Sequence, residues 1–260
     1  MRPFWYQTFP RATFFGGLLL GANYEREMQL LDALCDQTKT GVDVGAKVGM
    51  YTYRIRARSS NVIAFEPNPL FCRMLHKVLK GERTRIEQVA CSRTRGTAVM
   101  RMPFDRRGVA QFGRSTIDAA NPLQHERVAR VETIEVETRT LDEYDLSNVG
   151  FIKIDVEGHE LAVLDGGART IEGQRPNLLV ECNDDHQPGG VAALVDWLRG
   201  RDYCVVFLSG RQILDADRYD REEHWTKHTI ENFIAIPSAR DDIMERLHAA
   251  AARASLRRPA

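Results

Sequence analysis

The chain has 260 residues, 43% of them apolar, enough for one large domain with extensions and a sizeable core. Lys plus Arg and Asp plus Glu number 36 each, so no global field draws the protein to nucleic acid or to an anionic membrane. Five widely spaced cysteines (Cys35, Cys72, Cys91, Cys182, Cys204) without a C-x-x-C pair argue against a disulfide framework or thiolate zinc site and predict a reducing, cytoplasmic compartment.

Residues 1–24 read as an N-terminal arm rich in aromatics, among them Phe4, Trp5, Tyr6, Phe9, Phe14 and Phe15. Its apolar run 14-FFGGLLLGA-22 is too short and too glycine-broken to span a bilayer, so no transmembrane segment is expected. A main domain follows over 25–238, and 239–260 is expected as a helical or disordered tail.

Within the main domain, 25-EREMQLLDALC-35 has a helical apolar face, and 41-GVDV-44 is a buried strand ending in a glycine turn. A helix is predicted over 50–58, a strand over 61-NVIAFE-66 and a helix over 70–79, opened by Pro67-Asn68-Pro69. Strands are predicted at 85–91, 97–102 and 150–157, with one or two exposed strands in 131–141. Residues 104–127 are polar and irregular, a loop or lid. A helix from about His159, the strand 177-NLLVEC-182 and the helix 191–200 continue the alternation. The strands 203–208 and 232–237, separated by a charged stretch, are expected to pair as an antiparallel hairpin. The fold class is α/β, a doubly wound, mostly parallel sheet with its site at the C-terminal strand ends.

The first motif is Asp43-x-Gly45-x-x-x-Gly49: Gly45 permits a positive φ and close ligand approach, and Gly49 permits close helix packing. Glu66 ends the second strand 21 residues after Gly45, where a carboxylate can accept hydrogen bonds from a ribose diol. The spacing G-x-G-x-x-G is absent, and Asp43 would repel a pyrophosphate but suit a ligand ammonium. These two motifs alone leave a nicotinamide dinucleotide and S-adenosylmethionine both open.

The third motif, 152-IKIDVEGHELAVLDGG-167 followed by 176-PNLLVE-181, crowds Asp155, Glu157, His159 and Glu160 at one strand end. With 42-VDVGAKVG-49, 65-FEPNP-69 and Gly96 in the same order, the sequence resembles the FkbM family of class I S-adenosylmethionine-dependent methyltransferases over about residues 25–237. The resemblance implies a seven-stranded Rossmann-like sheet with a reversed C-terminal hairpin, and S-adenosylmethionine bound by the first loop and Glu66. It also implies methyl transfer to a hydroxyl, on a sugar or a glycosylated or polyketide-type natural product. The expected cofactor contacts are Asp43, Gly45, Ala46, Lys47, Gly49, Glu66, Pro67 and Asp155. Lys47 stands where the family usually has Asn, and Cys91-Ser92 where methyltransferases often carry an acidic residue for the adenine amine.

An alcohol needs a base to become a nucleophile. Asp155 or His159 is the candidate base, with Glu157 and Glu181 positioning the acceptor; His159 has the reference pKa closest to neutrality. Lys47 is expected either to pair with the cofactor carboxylate or an acidic acceptor, or to extend into solvent. Asp155, Glu157, Glu181, Asp184, Asp185 and His186 could together hold a divalent ion, but no tight ligand spacing favours it, and no metal is assigned. Trp225, His224 and His228, with the arm and the 104–127 loop, are candidate surfaces for a small-molecule or saccharide acceptor. The competing readings are an adenosylmethionine-binding or interaction protein without catalysis, and an NAD-dependent oxidoreductase.

Overall fold

The computed structural model describes residues 8–19, 24–79, 81–123 and 128–254. Helix α1 (Pro10–Leu19) and a 3-10 turn (Arg26–Leu30) running into α2 (Leu31–Leu34) precede β1 (Thr40–Val44), α3 (Met50–Arg56), β2 (Asn61–Phe65), α4 (Pro69–Val78) and β3 (Thr84–Glu87). Next come β4 (Ala90–Cys91), β5 (Gly96–Phe104), β6 (Arg130–Arg139), β7 (Val149–Ile154), α5 (Glu160–Gly166), α6 (Ala168–Gln174), β8 (Asn177–Glu181) and α7 (Gly190–Arg199). The last elements are β9 (Tyr203–Ser209), β10 (Gln212–Asp215), β11 (Asn232–Pro237) and α8 (Asp241–Arg253). Phe4, Trp5 and Tyr6 lie outside the described residues.

The main sheet runs β3-β2-β1-β7-β8-β11-β9-β10. Strands β3 to β8 in that order are mutually parallel, while β11 is antiparallel to both β8 and β9. The α/β class and the reversed hairpin are therefore as expected. The short strand β10 adds an eighth member at the edge, made by a tight turn in which Gly210 has φ +59°. The strand order reverses between β1 and β7, which opens a crevice above their C-terminal ends.

Both faces of the sheet are covered, as parallel strands require. One face packs Leu31, Leu34, Ile55, Leu75 and Leu247; the other packs Leu141, Val163, Ile171, Leu194 and Leu198. Helix α8 buries Ile243, Leu247 and Ala251 in the first of these layers. Among the described residues no helix is long and apolar enough to cross a membrane. All five cysteines are free thiols.

One expected strand divides. Residues 85–91 were read as continuous, but the chain leaves the main sheet after Glu87 and starts a second, three-stranded sheet, β4-β6-β5, at Ala90. Its long antiparallel ladder pairs Gly96 with Thr138 and Phe104 with Arg130, so residues 105–129 form the excursion at the end of one hairpin. The helix expected from His159 breaks at Gly167 into α5 and α6.

Candidate functional site

The site begins with a backbone collision avoided. A Cβ on Gly45 (φ +84°) would lie 1.9 Å from the carbonyl oxygen of Asp155, so only glycine lets the β1 loop rest on the end of β7. The amides of Gly45 and Ala46 donate to the Phe65 carbonyl at 2.9 and 3.1 Å, tying this loop to β2 as well. Gly49 (φ +86°) packs a step further on, where a Cβ would meet Leu75 of α4 at 2.5 Å.

Glu66 is buried at the end of β2. Its two oxygens accept from the backbone N–H groups of Lys47 and Asn68, each at 2.7 Å. Burial pushes its carboxyl up to about 7. Asn68 in turn caps α4, accepting from the Leu70 amide at 2.9 Å, with Pro69 next in the first turn. Glu66 and Pro67 face a narrow cleft of about 40 Å³, walled mainly by Phe65, Phe71, Val89, Met100, Phe112 and Ile117. Ser115 also lines it, and its Oγ is buried with no hydrogen-bond partner among the described residues.

A wider cavity of about 570 Å³ adjoins this cleft through Gly45, Lys47, Phe71, Phe112 and Asp155, which line both. Its remaining walls include Glu25, Asp43, Ala46, Tyr51, Lys153 and the segment Ala110–Arg114. Asp43 accepts from the Thr52 hydroxyl, and burial raises its carboxyl to about 6. Glu25 accepts from the Tyr51 hydroxyl at 2.8 Å and from Asn232 Nδ2 at 3.4 Å.

Lys47 joins the two cavities. Its Nζ lies 3.0 Å from Asp155 Oδ1 and 2.9 Å from Glu157 Oε1, with a longer 3.4 Å contact to the Gly113 carbonyl. Within the chain the lysine pairs with two of the protein's own carboxylates, a partner set not anticipated from sequence, and does not simply extend into solvent. Burial works against the lysine charge, but Asp155, Glu157 and Glu181 outweigh it and raise its pKa well above the ordinary value. Burial likewise works against the Asp155 carboxylate; Lys47 and Lys153 overcome it and hold Asp155 below the usual range. Glu157 is gripped on its other side by His186, whose Nε2 is 3.3 Å from Oε2. Both Lys47 (φ +48°) and Glu157 (φ +58°) adopt left-handed backbone, unusual for such side chains.

Other expected site residues sit elsewhere. His159 Nε2 pairs with the Ser92 hydroxyl at 2.9 Å, and Nδ1 faces Asp118 at 3.8 Å; it lines neither cavity. It stands at the N-cap position of α5 without making a side-chain capping bond, and its ring reaches Ser92, just after β4, and Asp118. Burial lowers its pKa, with Asp118 opposing. Glu181 brings a carboxylate oxygen within 4.8 Å of Asp155 and Glu25 without lining either cavity. Burial and the Asp155 charge push its pKa well up, and the positive charge beside it is Lys153, 4.0 Å away. Trp225 Nε1 donates to Asp185 at 2.9 Å, and His224 packs on Phe207 and Tyr219, so neither faces a cavity.

The 110–114 wall lies inside the 104–127 loop expected to face the acceptor, whereas Glu25, Lys153 and Ser115 were not singled out from the sequence. A lysine inside the apolar run of β7 was a visible signal for Lys153, which is fully buried with Nζ 3.2 Å from Asn232 Oδ1. Glu25 and Ser115 carried no local signal.

The sequence profile of the Methyltransferase FkbM domain matches residues 43–205. The chain belongs to the FkbM methyltransferase family. A solved FkbM methyltransferase from Methylobacillus flagellatus KT shares the fold at 17% identity and TM-score 0.50, over 77% of this chain and 44% of that one. The chain therefore spans less than half the length of that family member. An rRNA methylase from Streptococcus thermophilus aligns at 13% identity and TM-score 0.42, over 80% of this chain and 91% of that one. A Streptococcus mutans protein in complex with SAH aligns at 10% and 0.43, over 80% and 93%. None of the curated proteins compared matches the chain. Membership of the FkbM family implies S-adenosylmethionine as methyl donor.

Proposed function

We propose that this protein is an S-adenosylmethionine-dependent O-methyltransferase acting on a hydroxyl of a sugar or of a glycosylated or polyketide-type natural product. The observation that carries the reading is Glu66. A buried carboxylate, oriented by two backbone amides and facing an apolar cleft one glycine turn away, suits a nucleoside better than any other ligand class.

The donor set fits the group. Glu66 would accept from both ribose hydroxyls, and Pro67, Phe71, Val89 and Phe112 would sandwich the base. The unpartnered Ser115 hydroxyl supplies a polar contact for the base edge, in place of the acidic residue missing at Cys91-Ser92. Gly45 and Ala46 leave room for the amino-acid half in the wide cavity, where Asp43 and Glu25 can meet its ammonium. Gly49 shapes this loop from behind by letting α4 close on it.

When bound, S-adenosylmethionine supplies an electrophilic methyl on a sulfonium. The chain's part is to align the acceptor and take its proton. Asp155 borders both cavities, and Oδ2 is left for that proton while Oδ1 is held by Lys47. His159, committed to Ser92 and Asp118, is passed over as base. Glu157 and Glu181 line neither cavity and would act on the acceptor side only through Lys47 and Lys153, which do. The free cysteines and balanced charge support a cytoplasmic enzyme with a small-molecule acceptor rather than nucleic acid.

Titration calorimetry with S-adenosylmethionine, S-adenosylhomocysteine and NAD separates the readings. Binding of the first two and not NAD is expected; NAD binding alone overturns the proposal. Release of S-adenosylhomocysteine on a panel of methyl glycosides and macrolide alcohols then tests transfer.

A further inference from the structure

We propose that Lys47 is a catalytic residue whose ammonium donates a hydrogen bond to the acceptor oxygen, doing with the chain's own cation what a bound metal ion would do. The inference rests on the methyltransferase reading above and deepens it.

Position comes first. Lys47 borders both the nucleoside cleft and the wide cavity, beside Asp155. An ammonium has three N–H donors. Two are committed to Asp155 Oδ1 and Glu157 Oε1 at 3.0 and 2.9 Å, which fixes where the nitrogen sits. Among the described residues the third has only the 3.4 Å contact to the Gly113 carbonyl on the cavity wall, a weak bond that an acceptor oxygen can replace.

The cradle is itself rigid. His186 Nδ1 faces the Asn183 amide nitrogen at 3.3 Å, so Nε2 carries the proton and donates to Glu157. Glu157 therefore has an oxygen on each side held. Across from it, Lys47 keeps a left-handed backbone (φ +48°) that asparagine tolerates more easily, and Glu157 (φ +58°) is strained in the same way. Two facing non-glycine residues in this region, joined by an ion pair, mark a place where strain is retained for what the side chains do.

The chemistry follows from charge. Lys47 stays protonated, so it acts as donor and never as base. As the acceptor O–H passes its proton to Asp155 Oδ2, negative charge gathers on the oxygen. A charge-assisted hydrogen bond from a fixed ammonium strengthens at that moment and favours the transition state over the bound alcohol.

The test uses the full chain with Lys47→Met and Lys47→Arg. S-adenosylhomocysteine affinity is read by calorimetry, and turnover on methyl glycosides is read with and without EDTA. For Lys47→Met we expect affinity within about threefold of wild type and kcat lower by roughly 10²–10³, with acceptor KM little changed. Lys47→Arg, still a donor, should recover part of kcat, and EDTA should leave wild-type turnover intact. Should Lys47→Met fail to fold, pairing it with Glu157→Gln removes the surplus buried charge and keeps the measurement. Full turnover in the methionine variant overturns this inference alone, as does a large loss of S-adenosylhomocysteine affinity, which would make the lysine a cofactor ligand. A wild-type protein that binds S-adenosylhomocysteine yet methylates no panel member overturns the proposed function, and this inference with it.

Discussion

The two cavities that meet at Lys47 differ in how the chain builds them. The narrow cleft is apolar and is made mostly by strand ends and the residues just after them: Phe65, Glu66 and Pro67 on β2, Val89 after β3. The wide cavity is more polar, and its charged groups come from Glu25 just ahead of the first 3-10 turn, from β1 and its loop (Asp43, Lys47), from β7 and the residue after it (Lys153, Asp155) and from Arg114 of the 110–114 wall. The first is set mostly by where the strands of the main sheet end, with Phe71 of α4 and Phe112, Ser115 and Ile117 closing it. The second depends on long-range ion pairs, Lys47 to Asp155 across 108 residues and to Glu157 across 110.

The harshest way to break the comparison is Gly45→Ala, because Gly45 lines both cavities. A left-handed alanine with its Cβ inside the Asp155 carbonyl contact should cost on the order of 3 kcal/mol or more. Thermal unfolding should fall by roughly 6–12 °C, with S-adenosylhomocysteine binding lost. An unshifted melt would mean the two loops do not touch as described.

Asp155→Asn, at the border of the two cavities, should act on proton transfer rather than on nucleoside binding. Turnover should drop by about 10²–10⁴ with S-adenosylhomocysteine affinity retained, measured by steady-state kinetics and calorimetry. Near-normal turnover would remove Asp155 as proton acceptor.

Glu66→Gln should act on the apolar side only. Losing a charged acceptor for the ribose diol should weaken S-adenosylhomocysteine binding about 10- to 100-fold. The same variant carries a pH signature. The Glu66 carboxyl is raised from 4.5 to about 7 by burial, so between those values the folded chain keeps a proton that the unfolded chain has lost. Its contribution is full below the unfolded pKa and is lost as pH rises through the folded one. The melting temperature of Glu66→Gln relative to wild type should therefore shift in the variant's favour from about pH 5 to about pH 8. A flat difference would contradict the burial of this carboxyl.

The smallest effect concerns the shared wall. The narrow cleft, at about 40 Å³, is smaller than a nucleobase, so base binding should widen it, and the part of its wall drawn from the 105–129 excursion is Phe112, Ser115 and Ile117. Amide exchange over residues 110–118 should slow modestly on adding S-adenosylhomocysteine, while β7 and β8 stay unchanged. Equal protection in both states would show the wall to be rigid.

Much of the apolar side was legible in the sequence because each of its signals is local. Gly45, Glu66 and Asn68-Pro69 owe their roles to strand ends, turns and caps, which are written within a few residues. The reversed hairpin was legible for the same reason, from two apolar runs around a charged stretch. The polar side was less so. Lys47 could be placed at the loop crest, but its partners could not be chosen, since Asp155 and Glu157 reach it only after β1 and β7 pair. His159 misled because a reference pKa says nothing about direction: one turn of α5 sends the ring to Ser92. The break in 85–91 was hidden because 85-RIEQVAC-91 contains no glycine, proline or other turn residue to mark it, and the second sheet that captures β4 is formed by residues far downstream.

The β5–β6 ladder has one further consequence. Its nine paired positions clamp both ends of the 105–129 excursion in fixed register, and that excursion supplies walls to both cavities. Residues could be inserted or deleted at its tip without disturbing the main sheet, Glu66 or the Gly45 turn. The hairpin thus works as a tool holder: a change of length in a single loop would reshape the walls of both cavities while leaving the chassis unaltered.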